Sequence, residues 1–120
     1  MNFLYNYRGV AIAHIKNNVI YSINGKPLAF LNHEYVYLYN SYQVGVYENG
    51  WLRDLNGFCV FYSENYSGFA PIPPIHHIPP VPAVPQIPPI PPIPQIPRVK
   101  AICQGSWSKY KGEDFFEIRR

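Results

Sequence analysis

Residues 20–31 read IYSINGKPLAFL, and the same pattern returns sixteen residues to either side. The matching segments are LYNYRGVAIAHI (4–15), VYLYNSYQVGVY (36–47) and LRDLNGFCVFYS (52–63). Aligned, they give an aliphatic column of Leu4, Ile20, Val36 and Leu52, then Tyr5, Tyr21, Tyr37 and Arg53. Further columns are Gly9, Gly25, Ser41 and Gly57, then Ile12, Leu28, Val44 and Val60, then Ala13, Ala29, Gly45 and Phe61. Columns kept in phase over four copies mark an internal repeat.

Each copy reads as a β-hairpin. Asn24-Gly25 and Asn56-Gly57 are strong two-residue turn signals, since a type I′ turn needs φ > 0 at both central residues. Arg8-Gly9 and Asn40-Ser41 are weaker versions, Ser41 being the one departure from glycine. Half a period later Asn17-Asn18, His33-Glu34 and Asn49-Gly50 supply turns between hairpins. Residues 1–66 are therefore expected to form an all-β meander of eight short strands. Pairing across the first turns sets Tyr7 opposite Val10, Tyr5 opposite Ile12 and Phe3 opposite His14. In the third copy it sets Tyr39 opposite Tyr42, Tyr37 opposite Val44 and Tyr35 opposite Val46. This face is bulky and aromatic, so it is expected to be the core. The other face, with Leu4 beside Ala13 and Val36 beside Gly45, is expected to form a shallow groove needing a cover.

From residue 67 to 102 the composition changes. Proline fixes φ and gives up its N–H, so APIPPIHHIPPVPAVPQIPPIPPIPQIPRVKAI (70–102) is expected to be an ordered polyproline II arm with three residues per turn. Ile72, Ile75, Ile78, Val81, Val84, Ile87, Ile90, Ile93, Ile96, Val99 and Ile102 recur every third residue and so lie along one ridge. At about 3.1 Å per residue the arm reaches roughly 100 Å. A compact domain of about 65 residues is only roughly 28 Å across, so the rod is not expected to lie straight on it. A spacer would be rich in Ser, Gln, Glu and Lys rather than Ile. The ridge is expected to be buried by self-association, with Gln86, Pro89 and Pro92 facing away. Residues 103–120 hold Trp107, Tyr110, Phe115 and Phe116, which suit a C-terminal element docked on the β domain or on a neighbour's.

The stretches YNYRGVAIAHI, IYSINGKPLAFL and GWLRDLNGFCVF, the proline-rich segment and the closing SWSKYKGEDFF together resemble the 4-fold beta flower proteins. The resemblance implies a bacterial protein with a four-repeat β domain, a proline-rich tail and a short C-terminal element. It brings no activity from which functional residues could be carried over.

Chemistry is sparse. Charged residues are 14% of the chain and its net charge of +3 is unclustered, which gives no nucleic-acid footprint. No apolar run is long enough to span a bilayer, and no leader is evident. Cys59 and Cys103 make neither a disulfide framework nor a metal spacing, so a cytoplasmic setting is expected. His76-His77 is read as filling off-ridge positions, a metal site shared about a symmetry axis being the sharper alternative. His14 is read as structural. Arg53 and Asp54 are read as a salt bridge near the sheet edge. With scattered acids and no phosphate loop, no catalytic residue and no cofactor are expected. The function expected is a non-enzymatic assembly protein, a homo-oligomer joined through the arm and β domain. Two alternatives stay open. One is a glycan- or peptide-binding module using Tyr37, Tyr39, Tyr42 and Trp51. The other is a protein partner with a groove that reads PQIPR, which holds a P-x-x-P beside Arg98.

Overall fold

Turn chemistry sets the register. In the first loop the Gly9 amide donates to the Asn6 carbonyl at 2.9 Å, and the Asn6 amide donates to the Val10 carbonyl at 2.9 Å. The same two bonds recur in the loops Ser22–Lys26, Leu38–Tyr42 and Asp54–Phe58. Only the fourth residue is left-handed: Gly9, Gly25, Ser41 and Gly57 have φ of 79°, 89°, 77° and 87°. This is a three-residue loop, a type I turn closed by a left-handed bulge residue, and it corrects the expected two-residue turn. The extra residue shifts the pairing. Tyr5 faces Ala11 rather than Ile12, and Tyr37 faces Gln43 rather than Val44. Beyond the bulge Phe3 faces His14 and Tyr35 faces Val46. At the opposite ends Asn17 and Asn18, like Asn49 and Gly50, all have positive φ and make tight two-residue turns.

The computed structural model describes residues 2–117. Its strands are β1 (Asn2–Tyr5), β2 (Ala11–Lys16), β3 (Val19–Ser22), β4 (Pro27–Asn32), β5 (Tyr35–Tyr37), β6 (Gln43–Glu48), β7 (Trp51–Asp54) and β8 (Cys59–Tyr62). Each pairs antiparallel with the next, and β8 returns to β1 through Tyr5 and Tyr62. The meander is thus a closed barrel without a free edge.

Closure reverses the expected faces. The small-and-aliphatic set fills the barrel: Leu4, Ala13, Ile20, Ala29, Val36, Leu52 and Phe61 are fully buried in one cluster. Eight strands enclose only enough room for side chains, and a ring of tyrosines would not fit inside. The aromatic face is therefore on the outside, where Tyr5, Tyr62 and Trp51 form a second buried cluster. A short 3-10 helix, Glu113–Glu117, supplies Phe115 and Phe116 to the inner core. Phe116 stacks on Phe61 at 5.8 Å and Phe115 meets it edge-on at 6.2 Å. A Cβ on Gly45 would collide with the Arg53 carbonyl oxygen and lie 3.0 Å from the Phe115 ring, which accounts for glycine in a column that otherwise holds alanine or phenylalanine.

Candidate interaction surface

Residues 69–105 form no strand or helix. They are held by the barrel's bulged loops. His77, Gln86, Gln95 and Gln104 donate their amides to the carbonyls of Gly9, Gly25, Ser41 and Gly57, at 2.8, 2.9, 2.9 and 3.0 Å. The donors are nine residues apart and the acceptors sixteen. One nine-residue stretch of arm therefore serves each hairpin in turn. The barrel and arm together measure 35 × 35 × 22 Å. A path round a 35 Å outline is about 110 Å, close to the roughly 100 Å an extended arm can reach. The arm does not lie straight on its domain: it bends around it.

Side chains complete the attachment. Tyr62 Oη donates to the Pro74 carbonyl at 2.8 Å, and Tyr37 Oη to the Gln95 carbonyl at 2.9 Å. Burial pushes both phenol pKa values up, so they remain donors. Buried Gln43 accepts from the Arg98 backbone amide at 2.8 Å through Oε1, and its backbone amide donates to Gln95 Oε1 at 3.2 Å. Arg53 fastens both ends of the arm: it donates to Phe69 O at 2.5 Å, Gln104 O at 3.0 Å and Gly57 O at 2.8 Å. Lys100 bridges Glu34 and Glu48 at 2.7 and 3.1 Å, which raises its pKa.

These bonds turn the ridge outward. Pro73, His76, Pro79, Pro82, Pro85 and Pro88, each next after a ridge residue, are half-buried against the barrel. The ridge residues from Ile72 to Ile102 are 84–97% exposed. The expected neutral positions are corrected as well, since the Gln86 amide is an anchor and Pro92 is half-buried.

The tyrosines and tryptophan proposed as a ligand face are not gathered on one open surface. Tyr37 and Trp51 are 1% exposed, while Tyr39 and Tyr42 are half-buried. Tyr37 and Tyr39 pack on Phe30, whereas Trp51 packs with Tyr62, Tyr66 and Trp107. The three turn glycines Gly9, Gly25 and Gly57 all approach the arm backbone. Arg53 and Asp54 form no ion pair, because successive strand residues point to opposite faces. Asp54 Oδ1 accepts the Asn56 and Phe58 amides, and Oδ2 accepts Ser108 Oγ at 2.5 Å. Cys59 and Cys103 are free thiols, and burial pushes Cys59 up to about 11, which leaves it a poor nucleophile. His14 is buried, stacked on Tyr21 at 5.5 Å.

The anchors escape a reading tuned to a period of three. Gln86, Gln95 and Gln104 nonetheless recur every nine residues in VPAVPQ, IPPIPQ and VKAICQ, a signal readable without coordinates.

A closed all-β barrel girdled by its own C-terminal chain defines the class. The family model described as "4-fold beta flower protein" matches residues 2–116, and the chain belongs to that family. No curated protein and no solved structure matches the chain. Among the described residues no helix is long and apolar enough to cross a membrane.

Proposed function

We propose that this is a non-enzymatic assembly protein of the cytoplasm whose copies associate through the outward ridge of the girdling arm. In this reading four sixteen-residue hairpins form the hub and the arm is a polyproline II belt around it. The observation that carries it is the exposure of every ridge residue from Ile72 to Ile102, at 84–97%. Monomers rarely expose apolar patches beyond a few hundred Å². Burying one Ile or Val side chain is worth about 1.5–3 kcal/mol, so even part of this strip is a strong drive to associate. A second copy offers the same spacing and, from residue 69 to 97, no Asp, Glu, Lys or Arg to repel it. The burial of Tyr37 and Trp51 argues against a glycan platform on the aromatic face.

Light scattering after size exclusion tests the proposal. Wild type is expected to be oligomeric, and Ile87→Asp/Ile90→Asp/Ile93→Asp to run as a folded monomer. Pro80→Ser/Pro89→Ser, at exposed positions off the ridge, is expected to keep the wild-type mass. A monomeric wild type, or one mass for all three, overturns it.

A further inference from the structure

A groove of about 360 Å³ opens where the chain leaves β8 and enters the arm. Tyr62, Glu64 and Tyr66 line it together with the arm from Pro73 to His76. Here the arm departs from its own repeat, since His76 stands where the next two copies have Pro85 and Pro94. The His76 ring lies flat on Tyr5, with centroids 4.1 Å apart and planes 15° from parallel. Its Nδ1 is 2.9 Å from the His77 carbonyl oxygen. A carbonyl only accepts, so Nδ1 carries a proton, and in the neutral form of the ring Nε2 presents a lone pair. That lone pair faces Glu64 Oε1 at 3.7 Å. Two acceptors thus converge on one space. Tyr5 Oη donates to the same carboxylate oxygen at 3.3 Å and stays protonated, its pKa pushed up to about 12 by burial and by Glu64.

The rest of the lining is two tyrosines, two prolines and Ile75. Tyr66 is 44% exposed and the prolines lie close by. The lining includes one carboxylate and no Lys or Arg. A metal ion is poorly served, because among the described residues no three His, Cys, Asp or Glu side chains are grouped to hold one. We propose that this groove binds the ammonium end of an alkylamine. Its N–H bonds go to Glu64 Oε1 and His76 Nε2, and its alkyl stem lies along Tyr66 and the prolines, where an aromatic face also attracts positive charge. The site stands on residues other than the exposed ridge argued for assembly, apart from Ile75 at its margin.

The test is a titration of isotope-labelled protein with n-butylammonium at pH 8, followed by amide chemical shifts, with n-butanol as the uncharged counterpart. Saturable shifts are expected at Glu64, Tyr66, His76 and His77 with the amine and not with the alcohol. Glu64→Gln should weaken binding about tenfold or more, the loss of a charge-assisted bond. His76→Phe keeps the stack on Tyr5, removes the second acceptor and should weaken it less. Melting midpoints near wild type for both variants show that the fold is kept. Equal shifts with butanol, unchanged binding to Glu64→Gln, or no saturable shift overturn the proposal. So does a response to zinc alone.

Discussion

Gly25 is constrained twice: its φ of 89° disfavours any side chain, and a Cβ would fall 2.6 Å from the Val84 carbonyl oxygen in the arm. Gly25→Val and Gly57→Val are each expected to destabilise by about 1–3 kcal/mol, read as a fall in the urea midpoint. Ser41 has φ of 77° without glycine's freedom, so Ser41→Gly is expected to raise the midpoint. Equal midpoints for all three would contradict this loop geometry. The need for positive φ was legible at Gly25 and Gly57 because Asn-Gly encodes it locally. The bulge was not, since it depends on which carbonyl the fourth residue's amide meets. His14 gives a pH signature. The residue is 1% exposed, neither ring nitrogen has a protein partner, and burial with nearby Lys16 lowers its pKa. The unfolded chain binds the proton more readily, so stability is lost as pH falls through the unfolded value near ~6.5. Phe30 holds the matching place in the second hairpin, so His14→Phe should fit there. Between pH 7 and 5 the variant is expected to lose less stability than wild type, by at most about 1.4 kcal/mol per pH unit. Parallel pH curves would refute it.

At the scale of elements, the arm depends on a few polar contacts repeated around the barrel. Tyr37→Phe removes one bond to the Gln95 carbonyl and should cost about 1 kcal/mol. Arg53→Gln loses the clasp on Phe69 and Gln104 and should cost about 3 kcal/mol. Amide exchange distinguishes local from global loosening. Tyr37→Phe should speed exchange at Gln95, and Arg53→Gln at Gln104, well before the strand amides respond. Uniform acceleration would mean that arm and barrel open together. The strands were legible because alternation and turns repeat four times. Which face lay inside was not, because both faces are apolar and the choice follows from closure between β1 and β8. Tyr5 and Leu4 are each fully buried, one beneath the arm and the other within the barrel.

For the whole molecule, the reach of the arm and the circuit of the barrel decide what is left exposed. A straight rod of roughly 100 Å is too long to be seated on a barrel of this width. Curving around the 35 Å outline seats it within one chain, and it leaves the ridge residues directed away from the barrel. If copies join along that ridge, the contact carries no ionic component, since residues 69–97 contain no Asp, Glu, Lys or Arg. Sodium chloride at high concentration screens charge and should leave the oligomer's mass unchanged. Sulfate, which is excluded from protein surface, should tighten association, and cooling should weaken it as the hydrophobic drive fades. Sedimentation at several concentrations, in chloride and in sulfate, at 4 and 25 °C, measures all three responses. Dissociation by sodium chloride would place the interface on charged surface such as Arg98 and Lys100, and would remove the ridge as its cause.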